Sequence, residues 1–214
     1  MSTYQKLRDK GYSPRIAIDG GYALGSWTGG IKSVFPEVVV LGIDANSHIF
    51  TDGGADIKEG CVLWSEDGKT LPFHRNANAS GWCTGDSVFK ENSQHYGPNN
   101  TRIEYMTSVS LNTLCKKHGF EKVDILKLDV QGTELECLRG FSDFIATVDF
   151  VELECSVMEY NVGAPGIYEV LEYMNLMNFD VHDVLEIHYA SGQYDLIQVD
   201  FLFRNRNLPL PMVY

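Results

Sequence analysis

Short apolar runs that close on an acid or a glycine turn recur along this chain, and they constrain its fold more than any other feature. Arg15-Ile-Ala-Ile-Asp19 runs into Gly20-Gly21, Val38-Val-Val-Leu-Gly-Ile-Asp44 ends in an acid, and Val123-Asp-Ile-Leu-Lys-Leu-Asp129 ends in another. Runs this short and this apolar read as strands buried on both faces. Helical patterns lie between them, at Trp27 to Phe35 (stopped by Pro36), Ser110 to His118 and Thr133 to Leu138. The alternation predicts an α/β fold: a doubly wound, mostly parallel sheet with helices on both faces. Cys61-Val-Leu-Trp64 is expected as the third strand and Val148 to Cys155 as a later one. Ile167 to Met177 is expected as a helix with Leu171, Met174 and Met177 on its apolar face, and strands around Asp180 to Val184 and Gln198 to Phe203 close the sheet. Residues 76–100 are rich in Gly, Ser, Asn and Thr and show no periodicity. A loop of that length is usually functional, and a lid over a substrate is the expectation.

Size and charge narrow the function classes. A chain of 214 residues fits one domain, expected over 1–214. Its formal net charge of −12 repels phosphate backbones and anionic lipid at long range. Neither nucleic acid nor membrane is expected as a partner, whereas a neutral sugar or small alcohol suits the field. No apolar run is long enough to cross a bilayer, and Met1 to Arg15 lacks the apolar stretch of a secretion signal. A cytoplasmic location is the expectation. The cysteines at 61, 83, 115, 137 and 155 are odd in number and show no CxxC spacing. They read as reduced core thiols, not as a disulfide framework or a zinc site.

The stretch Asp19-Gly20-Gly21-Tyr22-Ala23-Leu24-Gly25 follows a strand and opens a helix, where glycines permit a tight turn and close approach of a ligand. A carboxylate at the strand tip repels a diphosphate and favours a ligand that carries an ammonium and a sulfonium. The spacing also departs from the G-x-G-x-x-G of dinucleotide folds. S-adenosylmethionine therefore fits better than NAD. Asp44, closing the next strand, is placed to accept hydrogen bonds from ribose hydroxyls. Asp19, Gly20, Gly21, Tyr22, Gly25 and Asp44 are the expected cofactor contacts. The alternative for Asp19 and Asp44 is that they only cap the helices after them.

Val123-Asp-Ile-Leu-Lys-Leu-Asp-Val-Gln-Gly-Thr-Glu-Leu-Glu-Cys-Leu-Arg-Gly140 closely resembles the central signature of FkbM-type methyltransferases. Lys127, Asp129, Gly132, Glu134, Leu138 and Gly140 match that signature position by position. The resemblance covers most of the chain: Asp19 to Gly25 looks like the family's first glycine loop, Leu153-Glu154 like its acidic fifth strand, and Gly192 to Phe203 like its closing hairpin. Thr84 to Asn92 is similar to a loop of some members. Asp44 stands where Glu-Pro is more usual, and Leu111-Asn112 where Leu-Asp is common. The resemblance implies a seven-stranded, Rossmann-like methyltransferase sheet and an S-adenosylmethionine-dependent O-methyltransferase, often acting on a sugar or polyketide-type hydroxyl.

An alcohol is a weak nucleophile, so methyl transfer to it needs a general base or a metal. Asp129, at the carboxyl edge of the sheet, is the first candidate for base or metal ligand; the alternative is that it only caps the helix through Gln131 to Glu134. Glu154 is the second, sharing a metal with Asp129, binding a sugar hydroxyl, or pairing structurally with Lys127. Glu134 is expected to bond backbone amides at the start of its helix. His95 is the histidine best placed to act as a base, because it lies in the polar loop with Ser87, Lys90, Glu91, Asn92 and Tyr96. Those residues and Trp82 are the expected substrate contacts, with Trp82 and Tyr96 as stacking surfaces or as plain loop anchors. An NAD-linked oxidoreductase and a non-catalytic binding module on the same fold remain as alternatives.

Overall fold

In the computed structural model, which describes residues 1–47, 53–78, 84–190 and 195–208, the apolar runs form the middle of a seven-stranded sheet. Its parallel strands are β1 (Ile16–Gly20), β2 (Val39–Ile43), β3 (Ile57–Glu59), β7 (Ile125–Leu128) and β8 (Phe150–Ser156). β9 (Phe179–Tyr189) and β10 (Leu196–Asn205) form an antiparallel hairpin that joins β8 through β10. The order across the sheet is β3-β2-β1-β7-β8-β10-β9.

Successive side chains of a strand point to opposite faces, and that explains why these runs are apolar without a break. Ala17, Val40, Ile125 and Phe150 stand in register and pack on one face against Leu7 of α1 (Thr3–Asp9) and Ile31 and Val34 of α2 (Ser26–Val34). Their neighbours Ile18, Leu41, Leu126 and Val151 face the other way. There they meet Leu111 and Leu114 of α3 (Leu111–Lys117), Leu135 and Leu138 of α4 (Glu134–Arg139), and Val170 and Met174 of α5 (Ile167–Leu176). α1 carries no apolar periodicity, and Ser2 Oγ caps it by accepting from Gln5 N–H. No helix among the described residues is long and apolar enough to cross a membrane.

The third parallel strand is not Cys61–Trp64. It is β3, a short edge strand whose residues Ile-Lys-Glu give little apolar signal. Val62–Leu63, as β4, instead pairs with β6 (Thr101–Val109) in a small second sheet completed by β5 (Thr70–Asn76). Val62, Trp64, Leu71, Phe73 and Val88 form its buried layer. The described segment 84–100 between β5 and β6 is also more structured than its composition suggests. Backbone bridges tie His74 to Ser87 and Glu91 to Asn161, and a 3-10 turn spans Gln94–Tyr96.

β1 has β2 on one side and β7 on the other, so the chain reverses its direction of winding there. In open α/β sheets the carboxyl ends of strands at such a switch point leave a crevice. The small sheet stands over that crevice.

Candidate functional site

A cavity of about 290 Å³ lies at this switch point, near the lower end of the usual size for small-molecule sites, roughly 300–1,000 Å³. Gly21 and Ala23 from the turn after β1, Asp44 and Asn46 after β2, and Asp129 to Gln131 after β7 line one side. Glu154 and Gln198 come from β8 and β10, while Val62, Leu63, Phe73, Asp86, Ser87 and Val88 come from the small sheet and the segment after it. Among the described residues the lining holds the carboxylates Asp44, Asp86, Asp129 and Glu154, and no Lys, Arg or His. Arg75 pairs with Asp86 at 3.7 Å and Lys127 with Asp129 at 3.5 Å from outside the lining, but the charged groups that face the cavity are acidic, which favours a cationic ligand over a diphosphate.

Glycine is required where the turn meets β7. Gly21 has φ 77°, and a Cβ there would stand 1.8 Å from the Asp129 carbonyl oxygen. Lys127 fastens the same junction from below: its buried ammonium donates to the Gly21 carbonyl at 3.1 Å and pairs with Asp19 at 3.3 Å and Asp129 at 3.5 Å. Burial alone would lower the Lys127 pKa, but Asp19, then Asp129 and Glu152, hold it well above its ordinary value. Lys127 pairs with Asp19 and Asp129 here, and Glu154 is not its partner.

Asp19 is fully buried, and its second oxygen accepts from Thr28 Oγ1 at 2.7 Å. It stands behind the cavity wall with its charge balanced inside the protein. Gly20, Tyr22 and Gly25 are behind the wall as well; the Tyr22 ring packs against Gly42 and Gly25 and shapes the turn. Of the expected cofactor contacts, Gly21 and Asp44 are the ones on the cavity surface. Asp44 accepts N–H groups from Ala23 at 2.8 Å and Asn46 at 2.7 Å. Burial raises its pKa, against those two bonds, which favour the charged form.

Asp129 and Glu154 meet on the cavity floor through a residue the sequence did not single out. The Gln131 amide nitrogen donates to Asp129 Oδ1 at 2.9 Å and to Glu154 Oε2 at 2.8 Å. A hydrogen-bond donor thus occupies the place a cation shared by those two acids would need. Burial, with the charges of Asp129, Glu134 and Asp200, holds the Glu154 carboxyl well above the usual carboxylate range. Glu134 does accept backbone amides, from Val130 at 2.9 Å and Gly132 at 3.2 Å.

The expected substrate residues divide. Ser87 lines the cavity and donates to the carbonyls of Val130 and Gln131. His95 is exposed on the 3-10 turn and does not reach the cavity. Lys90, Glu91 and Asn92 instead fasten their segment to residues 159–162. The Lys90 carbonyl accepts from Val162 N–H, Glu91 bridges Asn161, and the Asn92 amide donates to the Glu159 carbonyl. Tyr96 is buried and donates through its hydroxyl to Asp86 Oδ1 at 2.7 Å. Trp82 lies outside the described residues. Asp86 and Asn46 were also missed, although Asp86 falls inside the Thr84 to Asn92 stretch.

Methyltransferases that use S-adenosylmethionine are the class to which such a sheet and such a crevice belong. Within that class the chain belongs to the methyltransferase FkbM domain family, whose model matches residues 26–181. No curated protein matches it in sequence. Among solved structures it is similar to magnesium protoporphyrin IX methyltransferase from Synechocystis PCC 6803, with bound SAM, at 10% identity and a TM-score of 0.47 over 94% of this chain and 76% of that one. It is similar to precorrin-6y C5,15-methyltransferase from Geobacter metallireducens GS-15 at 8% identity and TM-score 0.42, covering 94% and 87% of the two chains. The small RNA methyltransferase HEN1 aligns at 8% identity and TM-score 0.43, over 96% of this chain and 25% of that one. Likenesses of this degree carry no substrate or mechanism across.

The residues present fit the cofactor of the class. Its ammonium and sulfonium suit a lining with several carboxylates and, among the described residues, no cation, and its adenosine suits the apolar wall of Ile43, Val62, Leu63 and Phe73.

Proposed function

We infer that the protein is an O-methyltransferase that acts on a hydroxyl of a sugar, a glycan or a similar small molecule. The observation that carries this reading is the pair Asp129 and Glu154, held side by side by Gln131 at the floor of a cavity that has no basic residue among the described ones. S-adenosylmethionine, when bound, supplies a methyl group on a positively charged sulfur, and the protein supplies alignment and proton removal.

Asp44 and Gly21 would hold the cofactor, Asp44 taking ribose hydroxyls as an acceptor. Asp129 is the general base. Its side chain is 41% exposed, which leaves it open to the cavity, while Gln131 and Lys127 fix its two oxygens. An attacking hydroxyl becomes strongly acidic as its new bond to carbon forms, and Asp129 accepts the proton at that point. Glu154, bonded to Gln131 beside it, orients an acceptor oxygen.

We read 1–214 as one methyltransferase domain, with the segment within 76–100 as a cover that excludes water. The bonds from Lys90, Glu91 and Asn92 to residues 159–162 support that role, because they draw the segment towards Tyr160 on the cavity rim. A neutral acceptor agrees with the acidic lining and with the net charge of −12.

The test is transfer from isotope-labelled S-adenosylmethionine to a panel of glycans, polyols, amines and nucleic acids, with the methylated atom identified by NMR. The expected product is a methyl ether. Methyl groups found on nitrogen or carbon alone would refute the reading.

A further inference from the structure

The sheet brings a second set of chemically active side chains together beside the cavity. Glu154 on β8, His188 on β9 and Asp200 on β10 each place one potential ligand atom within 4.8 Å of the others. The strand register produces this convergence. Asp200 stands opposite Glu154, and Gln198, which shares the face of Asp200, stands opposite His188. Residues two apart on a strand, and those directly opposite on the next, point the same way.

Local hydrogen bonding leaves this cluster incomplete. His188 Nε2 approaches one Asp200 oxygen at 3.4 Å. The other, Oδ1, is buried without a hydrogen-bond partner among the described residues. A buried carboxylate oxygen without a donor is costly, and a bound cation removes that cost. Gln131 donates to Glu154 Oε2 alone of that residue's two oxygens.

We propose that Glu154, His188 and Asp200 form a binding site for a divalent transition metal ion at the edge of the cavity. One imidazole and two carboxylates suit Zn²⁺ or Mn²⁺ better than Mg²⁺ or Ca²⁺, which take oxygen ligands. Three protein ligands leave further coordination positions open. Glu154 and Gln198 also line the cavity, so the ion borders the space where an acceptor would sit. Asp129 is not a ligand, because the Gln131 amide separates it from Glu154. The site stands whichever atom the enzyme methylates.

The full chain, stripped with chelator, is titrated with Zn²⁺ by calorimetry and with Mn²⁺ by electron paramagnetic resonance. One ion per chain is expected. His188→Ala and Asp200→Asn should each weaken binding at least about 100-fold, the upper end of what loss of a merely supporting residue costs. Asp129→Asn should change it by no more than about threefold, as expected for an outlying charge. Circular dichroism without metal checks the fold of each variant. If His188→Ala unfolds, pulsed resonance on the Mn²⁺-loaded wild-type protein decides instead, through an imidazole nitrogen coupling. Failure of the wild type to bind either ion, full affinity in a folded His188→Ala, absence of the nitrogen coupling, or an Asp129→Asn loss as large as that of His188→Ala would each overturn the proposal.

Discussion

Lys127 shows what single residues in this chain do and how far the sequence disclosed it. A lysine inside an apolar strand signals a buried ion pair, and that much was legible. Its partner was not, because pairing depends on which strand tips the sheet sets side by side. The structure gives it Asp19 from β1 and Asp129 just past the end of its own strand. Removing one member of a buried pair leaves the other uncompensated, so Lys127→Met should lower unfolding free energy by about 3–5 kcal/mol in urea denaturation. A loss below about 1 kcal/mol, the scale of a single hydrogen bond, would mean that Thr28 alone satisfies Asp19. Gly21→Ala should also be severe, by about 2–4 kcal/mol, since it combines left-handed backbone with a clash. The glycine was legible as part of a turn; the clash with Asp129 needed the fold. Gln131 was hidden for a similar reason. Its bridging position depends on a left-handed backbone (φ 55°) that no pattern of residue types announces.

At the scale of elements, the start of α4 and the small sheet teach opposite lessons. Glu134 was readable as the acceptor for the turn amides before α4, and it is. Burial raises its carboxyl from 4.5 to about 7, against the backbone bonds that favour charge. The folded state therefore binds that proton more tightly than the unfolded state. The resulting stability is complete below pH 4.5 and is lost as pH rises towards 7. Glu134→Gln keeps an acceptor for both amides but cannot ionise. Denaturation from pH 4.5 to 7 should show the variant losing less stability than wild type across the window, by an amount on the order of 3 kcal/mol. Parallel curves would contradict the assignment. β5 and β6 escaped notice because much of β6 is solvent-exposed and Pro72 interrupts β5. Half-exposed strands outside the main sheet lack the continuous apolar run by which that sheet announced itself.

For the molecule as a whole, the doubly wound, mostly parallel sheet followed from the alternation of strand and helix, and the signature around Lys127 and Asp129 tied that fold to a family. What the sequence misplaced was charge. Asp19 suggested a negative strand tip facing the cofactor, whereas the structure buries that charge against Lys127 and lines the cavity with Asp44, Asp86, Asp129 and Glu154. The preference for a cationic ligand survives on different residues. In the proposed mechanism Asp129 takes the acceptor's proton in this acid-lined crevice. Single-turnover methyl transfer to the best hydroxyl acceptor, in wild type and Asp129→Asn, tests it most directly when S-adenosylmethionine affinity is measured alongside. The rate should fall by about 10²–10⁴-fold, the usual contribution of a general base, with cofactor affinity largely retained. An unchanged rate in a variant that still binds the cofactor would contradict it.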